Sequence, residues 1–313
     1  MRWQKQGNIF NPQQHRDWAG THAQVPTVLV KEQVLRIYYA DRDGDGKSFT
    51  TYLDVDRGDP SRVVYQHKQS LMPLGRPGTF DDEGMMPAFA IEQEKETKGR
   101  VLLYYSGWNR RLTVPYHNAT GLAISDDGGD TFRRLFEGPI LDRVPLEPYL
   151  AVTPSVLCDH DRWRMWYISG VEWAKVGEKY EPVYVIKYGE SADGINWHRP
   201  NLLSVAPRHD REAFSHPCVL KHGDGYRMWY CYRESEDYRD GRGAYRIGFA
   251  TSRDGRVFDR HDADAGITVS DDGGWDSKMI CYPFVVRVDG RTLMFYNGNS
   301  FGQTGIGWAV LEE

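Results

Sequence analysis

Cysteine is scarce in this chain. Only Cys158, Cys218, Cys231 and Cys281 occur in 313 residues, and none stands in C-x-x-C spacing. No disulfide framework or metal site can be read from them, and they point to reduced thiols in a cytoplasmic protein. Long apolar runs are also missing. None approaches the ~18 residues of a membrane-spanning helix. The N-terminal stretch MRWQKQGNIFNPQQ lacks the apolar core of a signal peptide. No membrane partner is therefore expected. Basic excess is absent too: the net charge is −5, which argues against a nucleic-acid partner. P-loop, dinucleotide fingerprint, HExxH and GxSxG motifs do not occur, and no cofactor or metal is expected.

What the chain has is a repeat. Five prolines open short apolar runs: Pro26 (VPTVLV), Pro87 (MPAFAI), Pro154 (TPSVL), Pro217 (HPCVL) and Pro283 (YPFVV). Each is followed by an aromatic pair: Tyr38-Tyr39, Tyr104-Tyr105, Trp166-Tyr167, Trp229-Tyr230 and Phe295-Tyr296. The prolines stand 61, 67, 63 and 66 residues apart. A repeat of that length without a helical period predicts an all-β radial array with one four-stranded sheet per repeat. Five repeats fill the chain, so the expected fold is a five-bladed β-propeller with an axial funnel.

The finer pattern agrees. Second strands alternate, as in RWRMWYISG (162–170) and GYRMWYCYR (225–233). Three third strands run into one turn motif, at Ser125-Asp126-Asp127-Gly128, Ser191-Ala192-Asp193-Gly194 and Ser252-Arg253-Asp254-Gly255. Ser and Asp there cap the turn, glycine supplies positive φ, and the following aromatic fills the gap between sheets. The last repeat stops after a third strand, GIGWAV (305–310). The N-terminal RWQKQGNIF reads as the outer strand that closes it. No linker-like stretch divides the chain, which predicts one domain over residues 1–313. Longer loops are expected within 50–70 and 172–183. The segment Asp41-Arg42-Asp43-Gly44-Asp45-Gly46 starts like a calcium loop. Tyr52 stands where that loop needs a bidentate Glu, so a hairpin turn is the better reading.

Strand-opening prolines, aromatic second strands and SxDGxxW-type turns together resemble the five-bladed propellers of the arabinanase, invertase and levansucrase superfamily. That group comprises glycoside hydrolase families 43, 32 and 68, with the mannoside phosphorylases of family 130 related. The resemblance covers the whole chain. It implies a funnel carrying three carboxylates, with Asp before the proline in the first two blades and Glu near it in the third. Here those positions read Gln24-Val25-Pro26, Met85-Met86-Pro87 and Val152-Thr153-Pro154, so the acidic triad is not matched.

Other acids and histidines stand just upstream of the prolines, in GTHAQVP, TFDDEGMMP, LEPYLAVTP, HDREAFSHP and GWDSKMICYP. Cleavage of a glycosidic bond needs one acid and one carboxylate base or nucleophile. Asp82 and Glu212 are the expected catalytic pair, with Asp81, Glu83, Glu147 and Asp276 in reserve. Substrate contacts are expected from His22, Gln24, Arg42, Trp108, Asn109, His216, Arg233, Asp276 and Asn297. Together these offer an aromatic platform, amide and guanidinium donors, and imidazoles. The expected function is a glycoside hydrolase-like enzyme acting on a glycan or sugar conjugate. The alternatives are a non-catalytic glycan-binding or glycan-assembly propeller, and a sugar phosphorylase or transferase. The expected partner is a carbohydrate. The sequence assigns no oligomeric state.

Overall fold

The strands follow the alternation of apolar and polar residues between turn-forming segments. A computed structural model of the protein describes residues 1–15, 20–93, 99–159, 162–239 and 241–312. Its strands are β1 (Arg2–Phe10), β2 (Gln24–Val30), β3 (Val34–Arg42), β4 (Ser48–Asp56), β5 (Val63–Gln66), β6 (Gly84–Glu92), β7 (Val101–Arg110), β8 (Tyr116–Ser125), β9 (Arg133–Arg134) and β10 (Ala151–Asp159). They continue with β11 (Arg162–Val176), β12 (Lys179–Ser191), β13 (His198–Leu203), β14 (Glu212–His222), β15 (Gly225–Glu234), β16 (Arg246–Ser252), β17 (Asp259–Arg260), β18 (Cys281–Val288), β19 (Arg291–Asn297) and β20 (Ile306–Glu312). The chain is nearly all β.

Pairing sorts these strands into antiparallel four-strand units: β2 to β5, β6 to β9, β10 to β13, and β14 to β17. In the last unit, β18, β19 and β20 are joined by β1, with Arg2 opposite Glu312 and Phe10 opposite Ile306. The first strands touch in a cycle: β2 on β6, β6 on β10, β10 on β14, β14 on β18, and β18 on β2.

The apolar core is divided in the same way. One cluster joins the last unit to the first, through Phe10, Val28, Tyr39, Phe284 and Phe295. Others join Tyr38 and Tyr52 to Leu103 and Phe132, Tyr104 to Val156 and Tyr167, and Trp166 to Phe214 and Phe258. A further cluster joins Trp229 to Trp3 and Val285.

The first residue of three of the aromatic pairs staples its unit to the next. Tyr38 Oη donates to the Gly129 carbonyl (2.9 Å), Tyr104 Oη to Gly194 (2.7 Å) and Trp166 Nε1 to Gly255 (2.8 Å). Those carbonyls belong to the three Ser–Asp–Gly turns. There the Ser hydroxyl meets the Asp carboxylate at 2.6, 2.8 and 3.1 Å. Phe132, Trp197 and Phe258 then pack edge-on against Tyr38, Tyr104 and Trp166. Trp229 meets Trp3 of β1 in the same way, at 5.9 Å.

Two expectations need correction. The prolines do not begin their strands. Each lies beside a register break within its strand, as between Gln24 and Thr27 or Val152 and Ser155. A bulge there leaves unpaired the N–H that proline lacks. Residues 172–183 are not a loop: β11 and β12 extend as one long hairpin, and Glu172 pairs with Val183. Within 50–70, part of the chain is taken up by β4 and β5. The calcium-like segment is a hairpin turn in which Asp43 accepts from the Asp45 and Lys47 amides. Cys218, Cys231 and Cys281 are buried thiols outside any disulfide, and Cys231 and Cys281 share one buried cluster. Among the described residues, no helix is long and apolar enough to cross a membrane.

Candidate functional site

The residue before each repeat proline lines one cavity of about 290 Å³: Val25, Met86, Thr153, His216 and Tyr282. Four of them are left-handed, with φ of 59° at Val25, 51° at Thr153, 46° at His216 and 54° at Tyr282. A side chain in that region costs about 1–2 kcal/mol, and β-branched Val25 and Thr153 are true outliers. The strain is held by capture of the freed amides. Val25 N–H donates to Asn297 Oδ1 (2.8 Å), Thr153 N–H to Ser106 Oγ (3.1 Å) and Tyr282 N–H to Cys231 Sγ (2.9 Å). Each acceptor sits on the second strand of the preceding unit. Strained residues of this kind cluster at functional sites.

The remaining wall is aromatic, polar and cationic. Trp108 of β7 is pinned by its Nε1–H to Ser48 Oγ (2.7 Å). A Cβ at Gly84 would collide with both groups, so glycine is required there. Tyr116, Tyr184, Tyr245 and Tyr282 contribute phenols. Burial pushes the pKa of Tyr116, Tyr245 and Tyr282 well above the usual range, so they are neutral donors at pH 7. His216 Nδ1 bonds the Pro283 carbonyl at 3.2 Å. A carbonyl only accepts, so Nδ1 carries the proton and Nε2 is a bare acceptor. That Nε2 and Gln24 Oε1 are buried without hydrogen-bond partners among the described residues. Burial lowers the His216 pKa to about 4, so the ring is neutral.

Arg42, the last residue of β3, reaches the same cavity. Its Nε is buried without a partner among the described residues. Burial lowers its pKa, the Tyr282 and Tyr116 phenols oppose that, and the like charge of Arg239 adds to it. Arg239 stands in the connection after β15 and is exposed, with its guanidinium 3.1 Å from Glu181. Among the described residues, no Asp or Glu lines the cavity.

The acids upstream of the prolines lie elsewhere, and the aromatic pairs explain why. The second residue of each later pair donates to a buried carboxylate: Tyr105 to Asp81 (3.0 Å), Tyr167 to Glu147 (2.9 Å), Tyr230 to Asp262 (2.6 Å) and Tyr296 to Asp276 (3.0 Å). A cation on the outer strand of the same unit completes each anchor. Arg134 meets Asp81 at 2.8 Å, Arg199 lies 3.9 Å from Glu147, Arg260 meets Asp262 at 2.6 Å, and Lys5 meets Asp276 at 2.7 Å. Tyr39 of the first unit has no such partner among the described residues.

The structure does not bring the expected catalytic pair together in the cavity. Glu212 is buried and held by Arg260 through two bonds of 2.6 and 2.7 Å, with the Arg208 amide at 2.7 Å. Burial alone would raise its pKa, but these donors hold it below the ordinary carboxylate range. Asp82 accepts from the Gly78 amide, and its Oδ1 is buried without a partner among the described residues. Neither lines the cavity wall.

Of the expected substrate contacts, Gln24, Arg42, Trp108 and His216 do line it. His22, Asn109, Arg233, Asp276 and Asn297 do not. His22 bonds Thr21, and burial plus the Arg42 charge lower its pKa to about 4. Asn109 donates to the Thr79 carbonyl. Arg233 is buried behind the wall, 3.8 Å from the Tyr238 ring centre, and donates to the Tyr184 and Tyr245 hydroxyls. Asp276 is spent on Lys5 and Tyr296. Asn297 ties the last unit to the first through Val25 and Ala23, and bonds Gly305 within its own unit. Sequence reasoning missed Tyr116, Tyr184, Tyr245, Tyr282 and Arg239. Only Tyr282 carried a signal, its place before a repeat proline.

No protein-family model matches the chain. A Mycobacterium tuberculosis protein, Uncharacterized protein MT1551 (strain CDC 1551 / Oshkosh), is 36% identical over 316 residues and covers 100% of both chains. The chain belongs to the same family as that protein. Among solved structures, one glycoside hydrolase matches with a TM-score of 0.72 at 21% identity, over 99% of this chain and 92% of that one. A thermostable family-43 glycoside hydrolase matches with a TM-score of 0.65 at 16% identity, over 93% and 89%. The fold is thus the one shared by the glycoside hydrolases that the strand prolines and aromatic pairs resemble.

Proposed function

We propose that the protein is a carbohydrate-recognising five-bladed propeller, one domain over residues 1–313, that holds a glycan or sugar conjugate in the axial cavity. One observation carries this reading. All five residues that precede the repeat prolines converge on that cavity, where the enzymes it resembles carry their acids. Here those places hold Val25, Met86 and Thr153, and the wall offers other chemistry. Trp108 and the tyrosines suit the apolar face of a sugar, while His216 Nε2 and Gln24 Oε1 accept from its hydroxyls. The buried thiols of Cys218, Cys231 and Cys281 support a cytoplasmic setting. The test is calorimetric titration with a panel of mono- and oligosaccharides. Saturable binding weakened at least tenfold by Trp108→Ala is expected, and no binding by any member refutes the reading.

A second reading, a glycoside hydrolase-like enzyme, is favoured by the buried, unpartnered Oδ1 of Asp82. It predicts turnover of aryl glycosides that Asp82→Asn abolishes. A carboxylate pair that includes Glu212 is disfavoured, because freeing that acid would break both of its buried bonds to Arg260.

A further inference from the structure

The cavity wall is chemically lopsided. It presents two guanidinium groups, Arg42 and Arg239, and among the described residues no carboxylate. Arg239 is accounted for, since Glu181 accepts from it at 3.1 Å through both oxygens. Arg42 is not. Its Nε is buried with nothing to receive its proton among the described residues. A buried donor without an acceptor is costly, and such groups persist where a ligand supplies the partner. Arg233 shows how this fold treats a structural arginine. That side chain is wholly enclosed and donates to the Glu234 and Pro182 carbonyls and to two phenols. Beside Arg42 stand two bare acceptors, His216 Nε2 and Gln24 Oε1, both on side chains more than nine-tenths buried. The acceptors call for neutral donors, while the guanidinium calls for negative charge. The ligand must therefore bring hydroxyl groups for the acceptors and an anion for the guanidinium.

We infer that the cavity takes a sugar bearing an anionic group, a carboxylate or a phosphate, with Arg42 as the primary partner of that anion and Arg239 as a second cation at the rim. This rests on the carbohydrate reading above. A planar guanidinium suits either oxyanion through paired N–H donors. The carboxylate of a uronic acid and the phosphate of a sugar phosphate thus share the recognition chemistry, and the two are separated by measurement.

The experiment is calorimetric titration of the full chain at pH 7.5 with D-glucose, D-glucuronate, D-galacturonate, α-D-glucose 1-phosphate and inorganic phosphate. At least one charged sugar is expected to bind ten-fold or more tighter than glucose, and the tighter charged form identifies the source of the anion. Arg42→Gln is expected to weaken the charged sugars at least ten-fold and glucose by a clearly smaller factor. A ligand-free readout accompanies it: the melting temperature of Arg42→Gln should equal or exceed that of the unaltered protein, because a buried Nε without an acceptor among the described residues is removed. Arg239→Gln provides a milder second variant, with a smaller loss that is greater for the charged sugars than for glucose. Glucose binding without any preference for charged sugars overturns the inference and leaves the carbohydrate reading standing. Failure of every sugar to bind overturns both. Inorganic phosphate binding as tightly as glucose 1-phosphate, or a melting temperature that falls by several degrees in Arg42→Gln, overturns the inference as well.

Discussion

Two regions of this molecule use ionisable side chains in opposite ways. Behind the cavity, in four of the five strand units, a buried carboxylate is held by a second-strand tyrosine and an outer-strand cation. At the cavity, the Nε of Arg42 and two acceptor atoms are buried with nothing to hold them among the described residues. Satisfied polar groups fix a structure, whereas unsatisfied ones await a partner. The contrast separates acids that build the units from groups available to a ligand. Residue type and distance from a proline cannot make that separation, since His216 upstream of Pro217 and Asp276 upstream of Pro283 stand in the same kind of stretch.

The sharpest way to break the comparison is to remove an anchor. Arg260→Met should destabilise the protein by about 3–5 kcal/mol, because Glu212 and Asp262 would be left buried and charged. Chemical denaturation checks this, and a loss below about 1 kcal/mol would mean that the anchor is dispensable. Sugar affinity in the folded fraction should not change.

Acid should act next, through the histidines. His22 and His216 are depressed from 6.5 to about 4 by burial, with Arg42 adding to the effect at His22. The fold therefore favours the neutral rings, and the unfolded chain binds more protons between those values. Their contribution is complete above pH 6.5 and is lost as pH falls toward about 4. Glu212, whose pKa is also depressed, adds its own loss below the ordinary glutamate range. The melting temperature should be flat from pH 8 to 7 and decline from about pH 6.5 downward. In His216→Asn the decline should be shallower, and an unchanged slope would refute the assignment to this ring.

Single hydroxyl deletions give the smallest effects. Tyr105→Phe, Tyr167→Phe and Tyr296→Phe should each cost about 1–3 kcal/mol, since each removes a hydrogen bond to a buried, charged acceptor. Tyr39→Phe should cost almost nothing, because its hydroxyl has no partner to lose among the described residues. Equal costs at Tyr39 and Tyr105 in urea titrations would erase the distinction between the first unit and the others.

Much of the fold was legible because its devices repeat. Proline at the bulge, the aromatic pair, the Ser–Asp–Gly turn and the N-terminal strand beside the last each leave a pattern in the chain. The place of the cavity was legible for the same reason, as the pre-proline positions show. The roles of the acids were not. Asp81, Glu147 and Asp276 stand near the prolines because the second-strand tyrosines need acceptors there, and a catalytic acid would stand in the same stretch. Tyr184 and Arg239 reach the cavity from a long hairpin and an irregular connection, where no period announces them.

The central claim is that a carbohydrate sits against the pre-proline residues and not against the acids. A crystal structure after soaking with the tightest-binding sugar tests it most directly. The account predicts ring density over Trp108, a hydroxyl within hydrogen-bond reach of His216 Nε2, and Glu212 still paired with Arg260. Sugar bound elsewhere, or an anomeric carbon flanked by Glu212 with the Arg260 pair broken, would contradict it.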